Sequence, residues 1–220
     1  MEENVDIKIV ANAEEYAQAM ELRRKVFVCE QHIPEELEFD GNDYSSTHVM
    51  ALCSGNPAGV MRIRYFNGFV KFERMCVLPE YRKTDVSELI MRKAMEFSAQ
   101  KGYEKVYGVC KKELLHRWQR NGFEKIEGVE PTVQNGMTLL PIIGSLPKVD
   151  EKISIYTDPM ILNKPEGEWF AGCKSADNER RLFKLEAMRK TVQNLRNENL
   201  QKQSSGNGAV ISKKLNTKEY

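Results

Sequence analysis

Residues 72–102 read FERMCVLPEYRKTDVSELIMRKAMEFSAQKG. The stretch joins a β-rich segment to a long amphipathic segment through a basic turn at residues 82–84. Apolar residues at helical spacing predict a helix over about residues 86–101, and Gly102 is a typical helix stop. The first N–H groups of a helix lack carbonyl partners and lie at the positive end of its dipole. The junction therefore predicts an anion site.

The segments around this junction predict an α/β chain, in the order strand, helix, three strands, helix, strand, helix and two strands. The predicted strands are residues 6–13, 48–53, 58–66, 69–78, 105–110, 123–129 and 136–144, and the predicted helices are residues 13–31, 86–101 and 111–121. The pair Asn67–Gly68 is a strong hairpin signal. Residues 32–47 are acidic and rich in turn formers, so they predict a loop.

The composition excludes several classes of protein. The 220 residues are 41% hydrophobic and 30% charged, with a formal net charge of +1. A dedicated nucleic-acid binder needs a basic excess, which this chain lacks. No apolar run approaches the roughly 20 residues of a membrane span. The acidic N-terminus is unlike a signal peptide, so we expect a cytoplasmic protein with no nucleic-acid partner.

The cysteines predict neither a metal site nor disulfide bonds. The five are Cys29, Cys53, Cys76, Cys110 and Cys173. No C-x-x-C pair is present, and the number is odd. Cys53, Cys76 and Cys110 lie in apolar runs and are expected to be buried. We expect no bound metal.

The C-terminal part predicts an extension of the main domain. We expect a domain over residues 1–147, an extension over 148–203 and a disordered tail over 204–220. Residues 152–156 predict one more strand, and residues 176–203 predict a charged helix. Its apolar seam consists of Leu185, Met188, Val192 and Leu195. Two interpretations remain open, because such a seam serves either packing on the chain's own domain or a homodimer.

The order of elements and the sequence VLPEYRKTDVSELI at residues 77–90 resemble the GNAT N-acyltransferase superfamily. The resemblance implies a mixed, mostly antiparallel central sheet flanked by helices. It also implies an acetyl-CoA or longer acyl-CoA donor, whose pyrophosphate is cradled by the backbone of an R/Q-x-x-G-x-G/A loop. The matching arginine is Arg82, whereas Asp85 and Ser87 occupy the two glycine positions.

This departure leaves two interpretations of the loop. Either the anion still lies over Arg82 and the N–H groups of residues 84–87, or tight coenzyme A binding has been lost. Asp85 is expected to cap the helix, with Glu88 completing a capping box. The donor residues implied by the resemblance are Met75, Cys76 and Val77 on the strand, and Arg82, Lys83, Thr84, Asp85, Val86 and Ser87 in the loop.

A second resemblance covers residues 22–52, which are similar to the opening of ElaA-type GNAT proteins. The matching residues are Arg23, Val26, Phe27, Val28, Glu30, Gln31, Glu38, Asp40, Gly41, Asp43 and His48. Acyl-homoserine-lactone synthases, which take acyl chains from acyl carrier protein, are similar over Arg23, Phe27, Glu38, Asp40, Asp43 and Arg74.

From these matches we expect an acceptor-binding set. Its members are Arg23, Phe27, Glu30, Asp40, Asp43 and Arg74. The alternative is structural, with the carboxylates capping turns, forming a solvated charge cluster or pairing with Arg23 and Arg24.

The chemistry of acyl transfer assigns roles to a few residues. By the spacing implied by the resemblance, Lys71 stands where the family has its usual glutamate, and Glu73 follows on the same strand face. Glu73 is therefore the predicted general base, with a salt-bridged strand residue as the alternative. Trp118 stands at the position of the family's tyrosine acid, and indole cannot supply a proton.

The sequence thus predicts an N-acyltransferase that moves an acyl group from a coenzyme A thioester to a primary amine of a small molecule or protein. Two alternatives remain open. One is an acyl-carrier-protein-dependent synthase of N-acyl amino acids or homoserine lactones. The other is a catalytically degenerate GNAT fold that serves as a binding or scaffold module, with the C-terminal helix as a docking element.

Overall fold

A computed structural model of the chain describes residues 4–134 and 136–171, together with residues 190, 193, 194 and 197. The chain divides into two units, Met1–Phe170 and Ala171–Tyr220. The four described positions beyond residue 171 are helical and exposed. The predicted seam, Cys173 and the predicted tail lie outside the described residues.

The main strands and helices follow one another along the chain in the predicted order. The strands are β1 (Val5–Ile9), β2 (Thr47–Cys53), β3 (Asn56–Phe66), β4 (Phe69–Val77), β5 (Lys105–Lys111), β6 (Phe123–Lys125), β7 (Thr132–Gln134) and β8 (Met137–Ser145). The α-helices are α1 (Ala13–Arg23), α2 (Glu35–Glu38), α3 (Val86–Gln100), α4 (Leu115–Gln119) and α5 (Pro159–Leu162). A π-helix (Arg24–Glu30) extends α1, and 3-10 turns occupy Pro79–Tyr81 and Lys112–Leu114. The short elements α2, β7 and α5 were not predicted.

In the described residues the eight strands form one mixed sheet, in the order β1-β2-β3-β4-β5-β8-β6, with β7 also paired to β8. Every pair is antiparallel except β4 with β5. The predicted α/β class and the mostly antiparallel sheet are confirmed.

Two apolar layers hold the helices on the sheet. The helix α3 buries Val86, Ile90, Ala94 and Phe97 in the larger core, together with the sheet residues Val49, Met61 and Phe72. The helix α1 buries Ala19 and Leu22 in a smaller core, together with Met50, Val60 and Cys76. Asn12 begins α1 by accepting a hydrogen bond from the Glu15 N–H at 2.9 Å, as a capping residue does. The sheet therefore presents the α1 layer on one face and the α3 layer on the other.

Residues 148–170 pack on the same unit. The Ile153 N–H donates to the Gln100 carbonyl at 2.7 Å, and the Trp169 ring stacks on Phe97 with centroids 5.3 Å apart. The unit thus extends to Phe170, beyond the expected boundary at residue 147. The predicted strand at 152–156 is wrong, because this segment forms no ladder and leaves Ile155 88% exposed.

No helix among the described residues is both long enough and apolar enough to cross a bilayer.

Candidate functional site

The site begins where β4 and β5 separate. The two strands pair only over residues 70–72 and 106–108. Strand β4 continues to Val77 and β5 to Lys111 without a further ladder between them. Among the described residues, the edge of β4 that faces β5 has no ladder partner beyond this point. Backbone groups there are open to a ligand, except the Val77 carbonyl, which accepts from the Arg82 Nε at 3.0 Å.

A bulge in β4 coincides with this separation. The register between β3 and β4 shifts between Val60 and Arg62, so β4 carries one extra residue there. Arg74 in this segment has a φ of 55°, a left-handed conformation that is uncommon outside glycine. Such bulges bend a strand and end its pairing. The bulge accounts for the way β4 turns from β5.

The gap forms a cleft of about 600 Å³. Its lining comes from the π-helix, β4, the turn before α3, the end of β5 and α4. The charged members are Glu30, Arg82, Lys83, Glu88, Lys111, Arg117 and Arg120. Five cations against two carboxylates leave a formal net charge of three positive. The cleft therefore suits an anionic ligand.

The N-terminus of α3 opens on this cleft through Thr84, Ser87 and Glu88. The Thr84 hydroxyl accepts a bond from the Val86 N–H at 3.4 Å. Asp85 is the N-cap residue of α3, as predicted, but its side chain makes no capping hydrogen bond. Asp85 is also absent from the cleft lining. Its carboxylate is therefore not a lining group beside a bound anion.

Arg82 forms an ion pair with Glu30, and both side chains line the cleft. Its two terminal nitrogens bond the two Glu30 carboxylate oxygens, at 2.8 Å for Nη1–Oε1 and 2.5 Å for Nη2–Oε2. Its Nε donates to the Val77 carbonyl at 3.0 Å. The hydrogen bond from Arg82 lowers the pKa of Glu30, and the same bond raises the pKa of Arg82.

The structure brings most of the predicted donor residues together. Those lining the cleft are Met75, Cys76, Val77, Arg82, Lys83, Thr84 and Ser87. Val86 is instead buried in the core under α3, and Asp85 lies outside the lining.

One face of α4 and of the turn before it belongs to the site, although only Trp118 of this face had been given a predicted position there. Leu114, Arg117, Trp118 and Asn121 recur at helical spacing and line the cleft. Trp118 packs edge-on against Phe123, with ring centroids 4.9 Å apart. The signal in the sequence was the recurrence of these four residues at helical spacing after Lys111, which also lines the cleft.

The acidic loop forms a buried ion network with two arginines. Arg23 bonds Glu38 at 2.6 Å and also pairs with Asp43, and both arginine side chains are fully buried. Arg62 bonds Asp40 and Asp43 at 2.8 Å each, and Glu73 at 3.0 Å. Carboxylates from one loop thus neutralise arginines from α1 and β3.

The network shifts its members' pKa values in different directions. Burial raises the pKa of Glu38, although Arg23 opposes this. Burial also acts to raise the pKa of Asp43, but hydrogen bonds from His48 and the two arginines outweigh it and hold that pKa well below its usual range. Burial lowers the pKa of His48, so its ring is neutral at pH 7.

The residues of the predicted acceptor-binding set do not lie together, because some of them are buried in the ion network. Glu30 lines the cleft, whereas Arg23 and Asp43 are buried against each other and do not. Phe27 packs on the smaller core. Asp40 and Arg74 stay partly exposed, and Arg74 bonds the Glu38 carboxylate at 2.8 Å.

Glu73, the predicted general base, is not among the residues that line the cleft. Its carboxylate contacts the Arg62 guanidinium and the Lys71 ammonium, the latter at 2.6 Å. A proton acceptor at this position would first have to release Lys71.

The reactivity of the cysteine thiols tests whether each is buried or exposed as the structure shows. Burial raises the pKa of the Cys76 thiol to about 12, so it is not a thiolate near neutral pH. Cys53 and Cys110 are also buried as predicted, whereas Cys29 is exposed. With iodoacetamide at about pH 8, we expect mass spectrometry to find Cys29 alkylated and these three thiols protected until denaturant is added. Rapid labelling of Cys76 in the folded protein would contradict its placement.

Within residues 4–134 and 136–171, no group of three or more His, Cys, Asp or Glu side chains is arranged to hold a metal ion.

Comparison with protein families identifies residues 8–144 as a match to the acetyltransferase (GNAT) domain, which is more than half of the chain. The uncharacterized N-acetyltransferase YjcF of Bacillus subtilis is 38% identical over 94 residues, which are 43% of this chain and 66% of that protein. The chain spans about two thirds of the length of the curated relatives it matches.

Solved structures share the fold at lower identity. ElaA of Escherichia coli has a TM-score of 0.58 and 20% identity, over 64% of this chain and 99% of that one. The CoA-dependent acyl-homoserine lactone synthase BjaI, solved with SAM and isopentyl-CoA, has a TM-score of 0.56 and 18% identity, over 66% of this chain and 84% of that one. The structural neighbours thus include an ElaA protein and an acyl-homoserine lactone synthase, the two kinds of protein that the N-terminal sequence resembles.

Proposed function

This chain belongs to the GNAT acetyltransferase family, and on that premise we propose that it transfers an acyl group from a coenzyme A thioester to a primary amine. The observation that carries the proposal is the cationic cleft where β4 leaves β5. It combines a free strand edge, a helix N-terminus and five cationic side chains. These are the features that a long, anionic, amide-bearing thioester requires.

The donor fits the cleft in one direction. The phosphates lie at the N-terminus of α3, where Arg82 and Lys83 flank N–H groups without helical partners. The amide-bearing arm lies along β4, where the Val77 carbonyl already accepts a hydrogen bond from a side chain. The neighbouring fold of BjaI holds isopentyl-CoA, which supports a coenzyme A donor. Of the two residues that replace the glycines of the loop, Asp85 stays outside the cleft lining, and Ser87 lines the cleft with an uncharged side chain.

The reaction joins the amine nitrogen to the thioester carbonyl carbon and breaks the carbon–sulfur bond. A backbone N–H of the bulged part of β4 polarises the carbonyl oxygen. Glu73 takes the amine proton after Lys71 swings away, directly or through water. Trp118 lines the cleft but donates only a hydrogen bond, so water protonates the departing thiolate.

The acceptor amine approaches from the side of the sheet covered by α1. Glu30, Asp40 and Arg74 are the members of the predicted acceptor set with exposed surface there. The buried members, Arg23 and Asp43, hold the loop that carries Asp40.

Arg82→Ala tests the donor site. We expect the dissociation constant for acetyl-CoA, measured by isothermal titration calorimetry, to rise by about tenfold, because charge-assisted hydrogen bonds to phosphate are lost. Arg92→Ala is the matched control, since Arg92 is exposed on α3 and outside the cleft lining.

Equal affinities of the Arg82→Ala variant and the original protein would show that the phosphates bind elsewhere. No heat with acetyl-CoA or a long-chain acyl-CoA, and no product with a panel of amines, would favour the scaffold alternative.

A further inference from the structure

The pairing of Glu30 with Arg82 has a consequence for which donors the cleft accepts. We propose that the Glu30 carboxylate is an internal competitor for the donor's phosphates, which occupies Arg82 until a diphosphate displaces it. Glu30 thereby lowers the affinity of the cleft for donors that carry phosphate and leaves its affinity for phosphate-free ligands unchanged. This inference rests on the proposed function and adds a specificity-determining residue to it.

The first argument is the geometry of the pair. Each Glu30 oxygen accepts from a different terminal nitrogen of Arg82. This two-pronged arrangement is the one by which arginine also binds phosphate. With its Nε bonded to Val77, the guanidinium uses all three nitrogens inside the protein. A phosphate that binds Arg82 in the same way must take the place of the carboxylate.

The second argument is the position of the pair. Glu30 ends the π-helix, and Arg82 follows β4, so the contact joins two walls of the cleft. The Val77 carbonyl that fixes the Arg82 Nε belongs to the free edge of β4. A ligand that lies along this edge, with its phosphates at the N-terminus of α3, therefore contacts the Glu30–Arg82 pair.

The third argument is the strength of the contact. The Arg82 and Glu30 side chains are 40% and 41% exposed, so water and salt weaken their attraction. A diphosphate carries more negative charge than one carboxylate and displaces it. A neutral ligand does not compete for the guanidinium and leaves the Glu30–Arg82 pair in place.

The displaced carboxylate has a second cation nearby. Lys111 acts electrostatically on Glu30, and its Nζ bonds the Gln31 side chain at 2.9 Å. Both Lys111 and Gln31 line the cleft beside Glu30. Release of Arg82 therefore does not leave Glu30 without a favourable charge.

The test measures dissociation constants for coenzyme A and for pantetheine, which lacks phosphate, by isothermal titration calorimetry. We expect Glu30→Gln to bind coenzyme A about threefold to fivefold more tightly than the original protein, the upper part of the range for an exposed ion pair. Its affinity for pantetheine should change by less than about twofold. Glu80→Gln is the matched control, because Glu80 acts on Arg82 only through space; its expected change is also less than about twofold.

A double variant separates competition from general electrostatics. In an Arg82→Ala background, Glu30→Gln should change coenzyme A affinity by less than about twofold. The inference is overturned if Glu30→Gln binds coenzyme A no more tightly, if pantetheine gains equally, or if Glu80→Gln or the Arg82→Ala background gives the same gain. If neither the original protein nor Glu30→Gln binds coenzyme A, the proposed function fails and the inference fails with it. Binding by Glu30→Gln alone supports both.

Discussion

Arg23→Met should lower the free energy of unfolding by about 3–5 kcal/mol, the cost of removing one partner from a buried ion network. The Arg23 side chain has no exposed surface, and it holds Glu38 and Asp43 inside the protein. Methionine fills similar volume but leaves this part of the network with uncompensated negative charge. Urea denaturation followed by circular dichroism measures the change.

The adjacent arginine provides the control. Arg24 is 42% exposed and pairs with the exposed Glu35, so Arg24→Met should change the free energy of unfolding by less than about 1 kcal/mol. Equal, small effects of both substitutions would contradict the view that the Arg23 network holds the acidic loop in place.

Glu73→Gln should reduce kcat by about 100-fold or more while leaving the KM for the acyl donor nearly unchanged, because removal of a general base affects the chemical step. Glutamine keeps the shape and one acceptor oxygen but cannot take the amine proton. Steady-state kinetics with a thiol-detecting reagent measure both constants. Glu124→Gln, an exposed position on β6 of the same sheet, should leave kcat within about twofold.

Glu73 also pairs with Arg62, so the variant's melting temperature must be measured first and the kinetics run well below it. A kcat reduced less than about threefold in the folded variant would assign Glu73 to the ion network alone.

The fold followed from local patterns in the sequence. Residues 72–102 carried both periodicities, the alternation of β4 and the helical repeat of α3, and the turn between them fixed their connection. Short elements escaped, because four residues at Glu35–Glu38 and three at Thr132–Gln134 are too few for a repeat to show. The strand predicted at residues 152–156 is absent for a related reason. The segment has alternating apolar residues but no strand beside it, and a strand needs a partner.

The candidate site was predicted less completely, because its charges depend on tertiary pairing. The spacing of Glu38, Asp40 and Asp43 could not reveal that Arg62 from β3 meets two of them from within the sheet. The capping hydrogen bond predicted for Asp85 is absent for a similar reason, since it depends on a backbone conformation that the turn does not adopt.

The position of the free edge of β4 also bears on how this protein avoids aggregating. An unpaired strand edge invites a strand from another chain, but this one lies in the middle of the sheet with β5 beside it, where an incoming strand has no straight approach. The strands at the two outer edges of the sheet are short, so they offer few backbone groups for pairing with another chain. At one edge β6 and β7 have three residues each, and at the other β1 has five, with Asp6 and Lys8 among them. Within the described residues, the unpaired part of β4 at residues 73–77 is thus screened from strands of other chains by its place inside the sheet.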